Sequence, residues 1–578
     1  MRRTNLVVVL LLAGCSQAAQ PSPVEPPPAA FPAFAVSGRG ATVPFVEHEA
    51  EAAERRGTLI GPDRTAKTLA AEASGRMAVT LGAVGDEVTF VLVRPANAMT
   101  VRYSIPDSPD GKGLDATLSV LVDGTAVPKL PVTSRYAWYY GGLPFTNNPP
   151  DGKAHHFYDH ARMIFDRVLP TGTKVTLRKA ATDTAPTYTV DLADFEEIAS
   201  PAAQPAGSVS ITDFGADATG KADAGPAIEA AIETAKSKGK VVWLPPGTFG
   251  VNKHIVVDDV TLRGAGMWHT TLHGDGVGIY GKYVADGGPS RKVHLSGFTI
   301  LGEVTERDDA DQVNGVGGAL GGGSTVEGLW IQHTKVGLWL DGPFGGLTVR
   351  GNRILDQTAD GLNLHKGITD TVVEHNVVRN VGDDGLAMWS DEFPDTGNVF
   401  RFNTIQVPLL ANGIAIYGGR DNTVSDNVIA DIQIEGAGIQ LANRFSGTIP
   451  FDGSLTVARN TLLRAGSTFD LLATKVGAIW IYAEDIAINA KIELTENEII
   501  DPTFGGLQLL GSRVTGVTVK NLRVTRPATQ AVQLQTSGEA RLEGIRVTPE
   551  SAVVLYYCPD AGIFTTTGDT LPAPVCGT

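Results

Sequence analysis

The chain has 578 residues, enough for two or three domains, and its 42% hydrophobic and 19% charged content is that of a folded protein rather than a disordered one. A net charge of −16 argues against nucleic acid and against a strongly anionic polymer as partner, because either would be repelled. The 67 glycines imply many turns.

The chain opens with MRRTNLVVVLLLAGCS, in which Arg2 and Arg3 precede an apolar run too short to span a bilayer, the pattern of a signal peptide over residues 1–14. Cys15 follows Leu-Ala-Gly, which resembles the lipobox of bacterial lipoproteins. That resemblance implies cleavage before Cys15, a lipid on its sulfur, and an exported protein anchored to a membrane of the cell envelope. Residues 15–40 are rich in Pro and Ala and read as a semi-rigid tether. From 41 to 198 come short alternating segments such as EVTFVLV, ATLSVLVDG and PTYTVDL, parted by Gly, Pro and Asp, which predict a β-sandwich. ASPAAQPAGS, 199–208, reads as a linker. Apolar residues at 227, 228, 231, 232 and 235 predict a helix over 224–238.

The rest of the chain, 209–578, repeats. Gly precedes a short apolar strand at Gly337, Gly361, Gly385, Gly413, Gly438 and Gly506, and a second series places Asn at 352, 376, 403, 427, 460, 497 and 521. Units this short cannot bury a core alone and must stack. The pattern predicts an all-β architecture: a right-handed parallel β-helix following the sandwich, with Leu, Ile and Val inside. An amide ladder along the Asn series and the helix over the open apolar end complete it. A leucine-rich repeat would need several Leu at fixed offsets, which these units lack.

One coil is about 24 residues and neighbouring coils lie about 4.8 Å apart. The motifs ADGLNLH and DDGLAMW set Asp360 and Asp384 24 residues apart, so they share a column, with Asp383 beside them and Asn412 next in line. Three carboxylates this close raise one another's pKa, a cost that a purely structural turn would avoid with Asn. The outward face of the same strands carries Trp339, Asp341, Asn363, His365, Trp389, Asp391, Tyr417 and Gln440, with Asn412 in the column. Aromatics among amides and carboxylates suit sugar stacking and hydroxyl binding, and the few nearby cations (Lys366, Arg379, Arg420) favour a neutral sugar over a uronic acid. Paired Asp suit acid–base glycoside hydrolysis. The remaining cysteines, Cys558 and Cys576, are expected to close a small disulfide loop in an oxidising compartment.

Residues 207–525 carry specific motifs. VSITDFGADATGKADAGPAIEAAIETA…GKVVWLPPGTF is similar to the opening of pectate-lyase-like β-helices. ADGLNLHKG, GDDGLAMWSD, NGIAIYGGRDN and AGIQLANRF resemble glycoside hydrolase family 87, α-1,3-glucanases that include mycodextranases. The resemblance implies inverting hydrolysis of α-glucan, with Asp360, Asp383 and Asp384 as catalytic residues, no catalytic cofactor, and a monomer. FVEHEAEAAERRG resembles the first strand of family 35 and family 6 carbohydrate-binding modules, which implies a structural Ca²⁺ at Glu49, Glu51 and Asp194. The alternatives are a polysaccharide lyase or galacturonan hydrolase on the same fold, and a non-catalytic glycan-binding surface protein.

Overall fold

Alternation in the N-terminal segment builds two antiparallel sheets. One contains Asp159–Leu169, Ala96–Ser104, Tyr188–Glu196, Ala78–Leu81 and Thr58–Ile60, with Phe45–Glu49 paired to Tyr188–Glu196; the other is built around Glu87–Val91, Lys174–Arg178 and Asp115–Val122. In KVTLR the inward Val175 and Leu177 are fully buried and meet Phe90, Val101, Val190 and Phe195 in one core. The computed structural model describes residues 38–143, 145–557 and 562–569, so Cys15, expected to carry a lipid, and Cys558 and Cys576, expected to form a disulfide, lie outside the described residues.

Gly225–Lys238 forms the expected helix, with Pro226 in its first turn and Gly239 in a left-handed C-cap. It packs Ile228, Ala231, Ile232 and Ala235 onto the first coil of a long parallel β-helix. Each coil carries three short strands, for example Arg353–Leu355, Leu362–His365 and Val372–Glu374, and each strand pairs in parallel with its equivalents above and below. Leu338, Leu362, Leu386, Ile414, Ile439, Ile479 and Leu507 form one unbroken inward column. The glycine series stands where coils approach most closely: a Cβ on Gly337, Gly361 or Gly385 would lie 2.4–2.5 Å from a carbonyl of the next coil.

The asparagine ladder runs through Asn352, Asn376, Asn403, Asn427, Asn460 and Asn497, each amide bonded to the next at 2.9–3.0 Å. Asn521 is not part of it. Glu498 pairs with Arg523, so Leu522 takes the ladder position and Asn521 sits one residue earlier, exposed, at a φ of 55°. Residues 39–42 strap along the same corner, with Gly40 N donating to Asp426 O and Ala41 N to Thr404 Oγ1.

Strand Tyr188–Glu196 is buried on both faces because the sandwich docks onto the β-helix. Arg353 makes two bonds to Glu196, at 2.6 and 2.8 Å, and Arg379 bridges Glu47 at 2.6 Å and Asp194 at 2.9 Å. Beside them two pairs cross between the domains: His160 Nδ1 lies 2.8 Å from Asp356 Oδ1, and Asp159 Oδ1 lies 2.8 Å from His333 Nε2.

Docking sets the surroundings of Glu49, Glu51 and Asp194, the residues expected to hold Ca²⁺. Across the two strands Asp194 faces Glu47, while Glu49 faces Leu192. Asp194 is committed to Arg379, Glu49 accepts from Ser74 Oγ, and among the described residues Glu49, Glu51 and Asp194 do not converge as three donors on one point. Asp194 is thus held by an arginine of the β-helix, while Glu49 Oε2 and Glu51 Oε2 are buried without a hydrogen-bond partner among the described residues.

Candidate active site

The corner between strands such as Arg353–Leu355 and the groove-facing strands such as Leu362–His365 turns sharply. His333, Asp356 and Asn380 occupy it at φ of 57°, 54° and 59°, values that Asn, Asp and His tolerate better than most residues. Each corner delivers the chain, a few residues on, to the head of an outward-facing strand. Asp360 and Asp384 occupy that position on adjacent coils: Asp384 N donates to Asp360 Oδ1 at 3.1 Å. Asp383 is the neighbour that remains partly open, its side chain 26% exposed. Oxygens of all three lie within 4.8 Å of one another.

Burial pushes the Asp360 carboxyl well above the carboxylate range, and the charges of Asp383 and Asp384 add to the push. Asp384 is pushed up to about 7 by burial first and by Asp383 second, against hydrogen bonds that favour its charged form. Those bonds come from Asn412 N at 2.8 Å and Nδ2 at 2.9 Å to one oxygen, and from Tyr417 Oη at 3.0 Å to the other. Asn363 Nδ2 donates to Asp360 at 2.9 Å. The cluster therefore retains a proton at neutral pH while keeping ionised oxygens beside it, the condition acid–base hydrolysis requires.

The residues expected to line a groove divide into two groups. Trp339, Asp341, His365, Trp389 and Asp391 are half-buried on the outer face, with Asp341, His365, Trp389 and Tyr417 in one column. His365 Nδ1 lies 2.6 Å from Asp341 and orients its ring between Trp339 and Trp389. Asn363, Asn412, Tyr417 and Gln440 are buried, and they hold the aspartates or one another: Asn412 donates to Gln440 Oε1 at 3.0 Å. Between Asn363 and Gln440 the column carries Ala387 and Ala415, both fully buried and packed in one cluster with Tyr417 and Trp389. Phe469, Trp480 and Tyr482 extend that cluster with aromatic rings on later coils.

Alternation alone does not find two nearby groups. Arg307 comes from the irregular segment between Thr299–Leu301 and Val316–Gly318, and its Nη1 is 2.6 Å from Asp383. Arg444 lies over the rings of Phe445 and Phe469. Of the cations considered from sequence, Lys366 pairs with Glu392, Arg420 with Asp452, and Arg379 is buried under the sandwich.

Against known families, residues 42–198 match the alpha-1,3-glucanase catalytic domain D1 and residues 221–533 match the alpha-1,3-glucanase catalytic domain D2. The chain belongs to the α-1,3-glucanase family. Among solved structures it is similar to the catalytic unit of a thermostable GH87 alpha-1,3-glucanase from Streptomyces thermodiastaticus, at 41% identity over 93% of this chain and 98% of that one, with a TM-score of 0.84. It is also similar, at 26% identity over 92% of this chain and 99% of the other, to GH87 alpha-1,3-glucanase catalytic domains in complex with tetrasaccharides or with nigerose, at TM-scores of 0.82 and 0.81. The comparison with curated proteins found no match. The glucanase is thus a glycoside hydrolase, and family membership sets aside the lyase, galacturonan-hydrolase and non-catalytic alternatives. Its kcat/KM is expected to fall as pH rises through about 7, because the raised carboxyls then lose the proton that the leaving oxygen needs. A pH–rate profile flat from pH 6 to 9 would contradict this.

Proposed function

We propose that this α-1,3-glucanase hydrolyses α-1,3-glucosidic bonds in α-glucan with inversion, and does so as an exported lipoprotein held at the cell envelope through Cys15. The observation that carries the catalytic part is the convergence of Asp360, Asp383 and Asp384, from adjacent coils, beneath an outer face bearing Trp339 and Trp389. The relatives' complexes with nigerose and tetrasaccharides support a glucan in that groove. In the free enzyme the proton of the cluster resides on the buried Asp360–Asp384 column, since the Arg307 guanidinium faces Asp383. Two carboxylates orient one water while the third carboxyl supplies a proton to the departing oxygen. Inversion follows from the number of carboxylates rather than their spacing: a retaining enzyme needs one nucleophile and one acid, and a third charge would only add repulsion.

Release of reducing sugar from insoluble α-1,3-glucan by the wild type, and its loss in Asp383→Asn, tests the activity; equal release by both would overturn it. Early-time NMR of the reducing-end anomeric proton tests the stereochemistry. An initial excess of β-anomer is expected, and an initial excess of α-anomer would refute inversion. Cys15→Ser is expected to move the protein from the membrane fraction to the soluble one, and unchanged fractionation would remove the anchor.

A further inference from the structure

The segment Gly302–Gly315 carries Glu303, Glu306, Asp308, Asp309 and Asp311, and in that acidic run Arg307 is the sole cation. An arginine on a surface segment would ordinarily reach into solvent. Here its side chain is only 12% exposed and points inward, with Nε donating to Asp309 Oδ1 at 2.8 Å and Nη1 lying 2.6 Å from Asp383 Oδ2. The segment is itself tied down. Lys335 Nζ donates to the carbonyls of Asp309, at 3.1 Å, and Asp311. Lys335 is fixed to the catalytic coils in turn: its carbonyl accepts from Ala359 N at 2.8 Å, and the Ala359 carbonyl accepts from Asp383 N at 3.2 Å. Lys335, Ala359 and Asp383 thus form a column beside that of Asp360 and Asp384. The lysine at one end holds the segment whose arginine returns to the aspartate at the other.

We propose that Arg307 is a positioning residue that sets the charge of the catalytic cluster: its guanidinium, in contact with Asp383, places one positive charge against the three carboxylates, and so fixes the pH window in which the cluster keeps one proton. The inference rests on the catalytic role of the three aspartates. Around Asp383 the other charged or titratable groups are Asp309 and Lys335 on the side of the segment, Asp360 and Asp384 in the column, and Tyr417, Glu435 and Arg444 on the following coils. Only Arg307 among the cations is in ion-pair contact with Asp383 among the described residues. Without it, three carboxylates face one another with no opposite charge in contact, and each ionises less readily.

Arg307→Met and Arg307→Gln are expected to move both limbs of the pH–rate profile on α-1,3-glucan to higher pH, by about one unit or more, with kcat reduced and KM changed less. Arg307→Lys, which keeps the charge, is expected to leave the limbs near their wild-type positions. A residue that merely packs the segment would lower activity without moving the limbs. The carboxyl titration of Asp383, followed by ¹³C NMR and assigned with Asp383→Asn, is read in parallel and needs no turnover. It should shift upward in both neutral variants when their melting temperatures match the wild type. An unmoved Asp383 titration in a folded neutral variant would overturn the proposal. If the wild type releases no sugar from α-1,3-glucan, the catalytic reading fails, while the Asp383 titration still decides whether Arg307 sets the charge of that carboxylate.

Discussion

Asp360→Asn, Asp383→Asn and Asp384→Asn, made singly, are each expected to lower kcat on α-1,3-glucan by at least about 10²–10⁴-fold, the range of a positioned acid or base. Asp360→Asn and Asp384→Asn are also expected to leave the melting temperature unchanged or higher, whereas Asp383→Asn removes the partner of the largely buried Arg307 and is expected to lower it. At Asp360 and Asp384 the two effects have one cause. The fold holds Asp360 and Asp384 in a buried, mutually repelling arrangement that pushes both above the carboxylate range. A carboxyl whose pKa is raised in the folded state opposes folding above its unfolded pKa, so at pH 7 its ionised form is a liability to stability. Asn keeps the shape and removes the charge. The gain is partly offset at Asp384, where one oxygen accepts from both Asn412 N and Nδ2 and the other from Tyr417. An amide there presents NH₂ to one of these donors, leaving it poorly paired at a cost of about 1–3 kcal/mol. Asp360→Asn should therefore be the most stabilising of the three. Activity close to wild type in any two variants would remove the catalytic assignment.

What the sequence made legible follows the period of the coil. Asp360, Asp384 and Asn412 could be placed in one column because a coil of about 24 residues fixes which residues stack, and alternation put Trp339, Asn363 and Trp389 on the outer face. Periodicity does not report what covers a face. Tyr417 and Gln440 point outward from their strands, yet are buried and hold the acids or their neighbours. Arg307 lies in an insertion with no repeat position, so only the folded chain brings it to Asp383. The acids at 47–51 and 194 sit on strands that an isolated sandwich would expose, where a cation site is a reasonable expectation. Docking on the β-helix turns Glu47 and Asp194 into partners of Arg379, which lies more than a hundred residues away in sequence. Asn521 failed for a smaller reason: a one-residue offset in coil length put Leu522 at the ladder position.

Arg379→Met is expected to destabilise the protein by about 3–5 kcal/mol, the cost of breaking a buried ion pair from one side. The Arg379 side chain is 2% exposed and reaches from the β-helix to Asp194 at 2.9 Å and Glu47 at 2.6 Å, while its Nε donates to Gln406 at 2.9 Å. Glu47 Oε1 and Asp194 Oδ1, the oxygens turned away from the arginine, are buried without a hydrogen-bond partner, so nothing else in contact neutralises these acids when the guanidinium is removed. Burial already pushes Glu47 up to about 7 with Arg379 in place. In the variant the stranded carboxylates should take up protons at neutral pH. The deficit should therefore shrink as pH falls, because protonation removes the buried charges, and grow as pH rises. Adding Glu47→Gln to Arg379→Met should recover part of the loss, since one of the two uncompensated acids is then neutral. Arg350→Met supplies the contrast. Its partner is Glu327, both side chains are well exposed at 55% and 38%, and about 1 kcal/mol or less should be lost. Urea midpoints for the four proteins, taken at pH 5.5 and 8, separate these outcomes. Equal losses for Arg379→Met and Arg350→Met would mean that the charges between the two domains are hydrated, and that apolar packing rather than the arginine pairs fixes the sandwich on the catalytic β-helix.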